Sequence, residues 1–172
     1  MNKMRQKNSV ELNQELWKKV TLKEAEKGYI AGMIDGEGSI CLSLRKDKRH
    51  FNQIIPTIQI ANNNKEMLEW IQNKLEGIGC IHKGKTNCYK YTIWTPVIIE
   101  KLLYELLPYL LIKRDQAKVM LNFIKNKVNR YKLRTRDSNG CFNLASPIPD
   151  FYYSSYQKIK ELNSRGKGGY NV

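Results

Sequence analysis

Ile30-Ala31-Gly32-Met33-Ile34-Asp35-Gly36-Glu37-Gly38 is the stretch on which the reading of this 172-residue chain turns. Upstream of it, Thr21 followed three residues later by Glu24 reads as a capping box. The apolar positions Leu22, Ala25, Tyr29, Ala31, Met33 and Ile34 then recur with helical spacing. Gly36 and Gly38 are expected to end the helix. Gly28, Gly32 and Gly36 lie four residues apart on one stripe, with Ala31 beside them, and each glycine costs a helix about 1 kcal/mol relative to alanine. Two arrangements would offset that cost: another helix approaching backbone to backbone, or close packing of this helix on its own sheet. Asp35 and Glu37 flank Gly36. Carboxylates beside the unpaired carbonyls of a helix end make an oxygen-rich site for a hard cation such as Mg²⁺; the alternative is a plain turn with left-handed glycines. Acids are electrostatically disfavoured at a helix C-terminus, which favours the first reading.

Beyond Gly38 the period changes from 3.6 to 2. Ile40, Leu42 and Leu44 alternate with Ser39, Cys41, Ser43 and Arg45, and after a charged turn Ile54, Ile58 and Ile60 alternate with Gln53, Thr57 and Gln59. Pro56 inside the second run places it at an edge or a bulge. Asn63 or Asn64 caps a helix carrying Met67, Leu68, Ile71 and Leu75, which Gly77 ends. A second hairpin joins Ile78 to Lys85 with Tyr89 to Trp94. Thr95-Pro96 opens a helix ending before Pro108, another covers about Asp115 to Val128, and Asp150 caps a last one through Tyr153, Tyr156, Ile159 and Leu162. The order predicts an α+β fold of antiparallel hairpins backed by helices. The expected divisions are an N-terminal helical extension (1–20), a core (21–130), a basic loop with a C-terminal helix packed on that core (131–163), and a mobile basic tail (164–172).

Thirty Lys and Arg against sixteen Asp and Glu give a net charge of +14. Such a charge concentrates polyanions nearby and points to nucleic acid rather than a neutral small molecule. No apolar run approaches the ~18 residues of a membrane span, and no secretory signal precedes the first helix, so an intracellular location, cytoplasm or organelle, is expected. Cys41, Cys80, Cys88 and Cys141 are irregularly spaced and expected to be reduced; Cys80, His82 and Cys88 raise a metal question but lack a fourth ligand.

The Ile30 to Gly38 run, followed by Ser39-Ile40 and a strand, resembles the signature of the LAGLIDADG homing endonucleases at all nine positions. The order of helices and hairpins extends the resemblance over about Thr21 to Val128. The resemblance implies the family's antiparallel β-saddle, with Glu37 holding the catalytic divalent metal, Mg²⁺ or Mn²⁺, and Gly36 adding its backbone carbonyl. Asp35 then matches an acid that shapes the helix end and, with Gly28, Ala31 and Gly32, the dimer interface. Asn62, where relatives often have Gln, and Lys113, after Pro108-Tyr109-Leu110-Leu111-Ile112, match the catalytic pocket; Arg114 is the alternative basic residue. The implied activity is hydrolysis of double-stranded DNA by a homodimer on a long pseudo-palindromic site. On such a dimer the hairpins would read the major groove through Ser39, Ser43, Arg45, Gln53, Thr57, Gln59, Lys83, Lys85, Lys90 and Thr92, while Arg134 and Arg136 touch phosphates. The competing readings are an intron RNA maturase or a DNA-binding regulator of the same fold, and a small-molecule enzyme using Asp35 and Glu37, which no phosphate-cradling or nucleophile motif supports.

Overall fold

The computed structural model describes residues 15, 17–45, 53–84, 87–132 and 150–164. Helix α1 (Glu24–Glu37) leads directly into β1 (Gly38–Arg45), which pairs with β2 (Gln53–Asn62); α2 (Lys65–Lys74) follows, then β3 (Cys80–Lys83) and β4 (Tyr89–Ile93), and finally α3 (Pro96–Leu106), α4 (Arg114–Lys132) and α5 (Asp150–Ser164). The two hairpins merge through β2 and β4 into one antiparallel sheet of order β1-β2-β4-β3.

Alternation along the strands decides which face meets the helices. Ile40, Ile58 and Ile93 form one cross-strand row and Ile60, Tyr91 and Ile81 another, on the side that packs against Ile30 and Ile34 of α1, Leu68 and Ile71 of α2, and the buried leucines and isoleucines of α3. Burying a side chain of this size stabilises the fold by roughly 1.5–3 kcal/mol, so a slip of one residue, which would turn every member of a row to water, is strongly opposed.

The boundaries differ from the sequence reading in instructive places. The N-cap of α1 is Lys23, not Thr21: Glu26 reaches back to the Lys23 amide at 2.9 Å and pairs with Lys74 of α2 at 2.7 Å, so a contact with a distant helix moves the start. Gly36 stays inside the helix, and Gly38, the first residue of β1, has φ −94°. Neither glycine is left-handed. Gly38 is required for space, since a Cβ there would lie 2.6 Å from the Cα of Ile34. Asn64 is the cap of α2, accepting from the Met67 amide at 3.0 Å, and Glu76 (φ 55°) with Gly77 (φ 75°) turns the chain out of it.

Pro56 is buried opposite Leu42, in the half of β2 that β4 does not reach. The Ile40 carbonyl faces outward, accepting from Asn163 Nδ2 at 3.1 Å. By the two-residue period, Leu42 and Pro56 therefore exchange no ladder bonds, and the N–H that proline lacks would have pointed to the unpaired flank. The same Asn163 contact shows what α5 does: it covers the outer edge of β1, and Tyr152 fastens it to α4 through the Asn126 carbonyl at 2.9 Å. Most of the expected N-terminal helical extension (1–20) falls outside the described residues, as do the charged turn at 46–52, the loop at 133–149 and the tail from 165. No helix among the described residues is long and apolar enough to cross a membrane.

Gly38→Ala is expected to destabilise the protein by about 1–3 kcal/mol through this backbone clash, measured as a lower urea midpoint with an unchanged slope.

Candidate active site and nucleic-acid interface

Asp35 occupies the last turn of α1, and its carboxylate is spent inside the chain. Oδ2 accepts from the amides of Leu111 at 2.7 Å and Ile112 at 3.1 Å, and Oδ1 accepts from the amide of Lys113 at 2.8 Å. These are donors that the approach to α4 leaves without helical partners, so Asp35 caps a helix that begins more than seventy residues later. Its own carbonyl accepts the Lys113 ammonium. Both carboxylate oxygens of Asp35, a residue expected at the dimer interface, are thus engaged within the chain.

Glu37 is exposed, and its carboxylate meets no hydrogen-bonding or ion-pairing partner among the described residues. Lys113 stands close enough to feel its charge. Partial burial holds the Lys113 ammonium below the ordinary lysine value near 10.5, against the opposing influence of Asp35 and Glu37. Gly36, the residue between the two acids, belongs to the turn whose carbonyls run out of intrahelical donors. A free carboxylate beside such carbonyls is a hard-oxygen donor set that suits a divalent cation. Among the described residues no three His, Cys, Asp or Glu side chains gather, so Glu37 is the single free acid this chain offers there. Asn62 ends β2 two residues beyond the Gly38–Ile60 pair, at the same end of the sheet as Glu37; its Oδ1 accepts from the Asn64 amide at 2.8 Å. Arg114 turns away, donating to the Pro108 carbonyl at 3.2 Å.

On α1 the glycine stripe is open. A Cβ added at Gly28, Gly32 or Gly36 would meet nothing within 4 Å, so the helix is not packed on its own sheet along this line. Ala31 is fully buried and is removed from the interface group, because it falls with Ile30 and Ile34 on the core side. Leu111 and Ile112, held by Asp35, are 80% and 73% exposed, and Tyr29, stacked edge-on against Trp70 with ring centroids 5.1 Å apart, is 47% exposed.

The sheet face turned away from the helices carries the polar residues. Its rows run Arg45 opposite Gln53, Ser43 opposite Ile55, Cys41 opposite Thr57, then Ser39, Gln59, Thr92 and Cys80 across all four strands, and lastly Ala61, Lys90 and His82. Gln59 Nε2 donates to Thr92 Oγ1 at 3.1 Å, so these two side chains act as one unit. Lys83 does not belong to this face: it pairs with Tyr89 on the side of Ile81 and Tyr91, and is exposed only because β3 is short and at the edge. Lys85, Arg134, Arg136 and the side chain of Gln53 lie outside the described residues.

His82, exposed and opposite Lys90, is a polar-face residue that the sequence reading considered only as a metal ligand. Strand parity carried the signal, since His82 and Lys83 must face opposite ways and Ile81 marks the inner one. Ile55 was missed because an isoleucine among isoleucines gives no sign of facing out.

The family model described as LAGLIDADG endonuclease matches residues 30–117, more than half of the chain. No curated protein matches it. Among solved structures, the fold is similar to that of the homing endonuclease I-CvuI in complex with its target in the presence of 2 mM Ca (21% identity, 80% of this chain and 82% of that one, TM-score 0.63). It is also similar to the archaeal intron-encoded homing endonuclease I-Vdi141I complexed with DNA (24% identity, 81% and 84%, TM-score 0.65). At these identities the structural likeness speaks for the fold.

The electrostatic link between Lys113 and Glu37 is directly measurable. In metal-free protein, a nitrogen-15 titration should place the Lys113 midpoint below the ordinary lysine value, and Glu37→Gln should move it lower still, since the carboxylate favours the charged ammonium.

Proposed function

We propose, from the premise that this chain belongs to the LAGLIDADG endonuclease family, that it is a site-specific DNA endonuclease acting as a homodimer with a divalent metal, Mg²⁺ or Mn²⁺. The observation that carries the reading is the closeness of a free, exposed Glu37 to a half-buried Lys113 that feels its charge, at one end of a polar sheet face. A protein needing Glu37 only for its fold would have engaged it, as it engages Asp35.

The parts divide as follows. Glu37 and the Gly36 carbonyl hold the cation, which when bound supplies Lewis acidity toward a water and toward the leaving oxygen of a phosphodiester. Lys113 presents positive charge where negative charge develops on the phosphoryl group, and its partial burial strengthens that effect. Asn62 orients water at the end of β2. Ser39, Ser43, Arg45, Thr57, Gln59, Lys90 and Thr92 face the major groove, a surface on which each base pair has its own pattern of donors and acceptors, and His82 joins them. The +14 charge supplies the sequence-independent attraction to the backbone.

At this end of α1 one chain offers one free acid among the described residues, Glu37, whereas cutting both strands at once needs two. The open stripe of Gly28, Gly32 and Gly36, near whose C-terminal end Asp35 holds the exposed Leu111 and Ile112, is a face whose small residues admit a second copy of the same helix at close range. A two-fold axis along it puts the two Glu37 side chains next to each other and makes the target a pseudo-palindrome.

Glu37→Gln is the deciding variant. It should bind the cognate duplex within about threefold of wild type and lose cleavage in Mg²⁺ by a factor on the order of a thousand or more. Undiminished cutting by the variant would refute the assignment of Glu37.

A further inference from the structure

Four hydrogen bonds converge on one residue that no part of the proposed chemistry uses. Asp35 takes the amides of Leu111, Ile112 and Lys113 on its two carboxylate oxygens and the Lys113 ammonium on its main-chain carbonyl. A helix cap alone needs one or two such bonds. Here the same residue holds both ends of Lys113, backbone and side chain, and it sits two positions before Glu37 on a rigid helix.

We propose that Asp35 is the positioning residue for Lys113: it fixes the 111–113 segment to the end of α1 so that the ammonium stands at a set distance from Glu37. The inference rests on the nuclease reading above for its kinetic consequence, although the geometry stands without it. Leu111 and Ile112 are exposed, and the neighbouring anchors, buried Leu110 and Ala117, the bond from the Ala117 amide to the Lys113 carbonyl and that from Arg114 to the Pro108 carbonyl, tie the segment to α3 and α4 but not to the end of α1. With the carboxylate gone, three backbone donors turn to water and the segment is free to move. A displacement on the order of 1 Å at a charge-stabilising group can cost a hundredfold in rate. Loss of an outer residue that orients a working one typically costs 10–100-fold.

The neutral amide in Asp35→Asn keeps the shape but replaces one acceptor by a donor facing donors. Its kcat should fall about 10–100-fold, with the dissociation constant for cognate duplex and the KM within about threefold of wild type. The reading that separates positioning from mere stability is a double-mutant cycle with Lys113→Met. If Asp35 acts through Lys113, Asp35→Asn in the Lys113→Met background lowers kcat by less than about twofold more. If the two losses multiply in full, the positioning role is wrong. Asp35→Ser, shorter but still an acceptor, should recover part of kcat, and no recovery beside Asp35→Asn counts against the proposal. Loss of duplex binding or of helical circular dichroism in both Asp35 variants would assign the residue to folding alone and overturn it.

Failure of the nuclease reading looks different, because wild type would then cut no duplex at all. The positioning claim is then decided by nuclear magnetic resonance. The amides of Leu111, Ile112 and Lys113 should exchange with solvent at least tenfold faster in Asp35→Asn than in wild type. The nitrogen-15 shift of the Lys113 ammonium should move toward that of a free lysine. Unchanged exchange and an unchanged shift would overturn it.

Discussion

Helix α1 enters strand β1 with no connecting residue, and that is possible only because position 38 has no side chain. The Gly38 backbone passes so near Ile34 that a single added carbon would overlap it. Everything about the candidate site follows from this junction. Ile34 goes into the core, Asp35 turns to the start of α4, Gly36 stays open, Glu37 is left at the surface, and Ser39 begins the polar face of the sheet. Five residues within six positions thus meet different surroundings, and no loop is available to relax the distances between them.

The rest of the molecule keeps that junction in place. The rows of isoleucine set the register of the sheet against strong resistance to slipping, and α5 closes the flank of β1 that would otherwise be a bare edge. Ion pairs of Lys27 with Glu105 at 2.9 Å and of Lys74 with Glu26 at 2.7 Å link α1 to α3 and to α2. Ion pairs in contact with water add little to stability, so their part is one of orientation. Polar residues with no such structural task collect on the outward face of the sheet, where they are free to meet a ligand.

Much of this was legible in the residues alone. The change from a 3.6 to a 2 period at Gly38 marks helix and strand, Asn64 and Thr95-Pro96 mark helix starts, and the inner rows follow from alternation. What escaped was long-range. The segment that Asp35 holds lies more than seventy residues away, so nothing in the sequence told what its carboxylate binds within the chain. Lys23 displaced Thr21 as cap because Glu26 also answers to Lys74. Ala31 neighbours both the glycine stripe and the isoleucine stripe on the helical wheel, and spacing cannot say which one claims it; the core did. Strand β3 is four residues long with one clear apolar position, too little pattern to keep Lys83 off the polar face until its pairing with Tyr89 is seen. Glu37 and Lys113 were found because a nine-residue signature and a short downstream stretch resemble a family; chemistry alone left Glu37 an acid in a glycine-rich turn.

The central claim is that two copies of this chain, each bringing one Glu37, cut the two strands of one duplex. Cleavage selection from a randomised duplex library in Mg²⁺, with both strands sequenced, measures that most directly. Cuts are expected in both strands at a site of roughly two helical turns, about 10 bp per turn, whose halves read as inverted repeats. A library left uncut, or a single-strand cut at a site without two-fold symmetry, would contradict it.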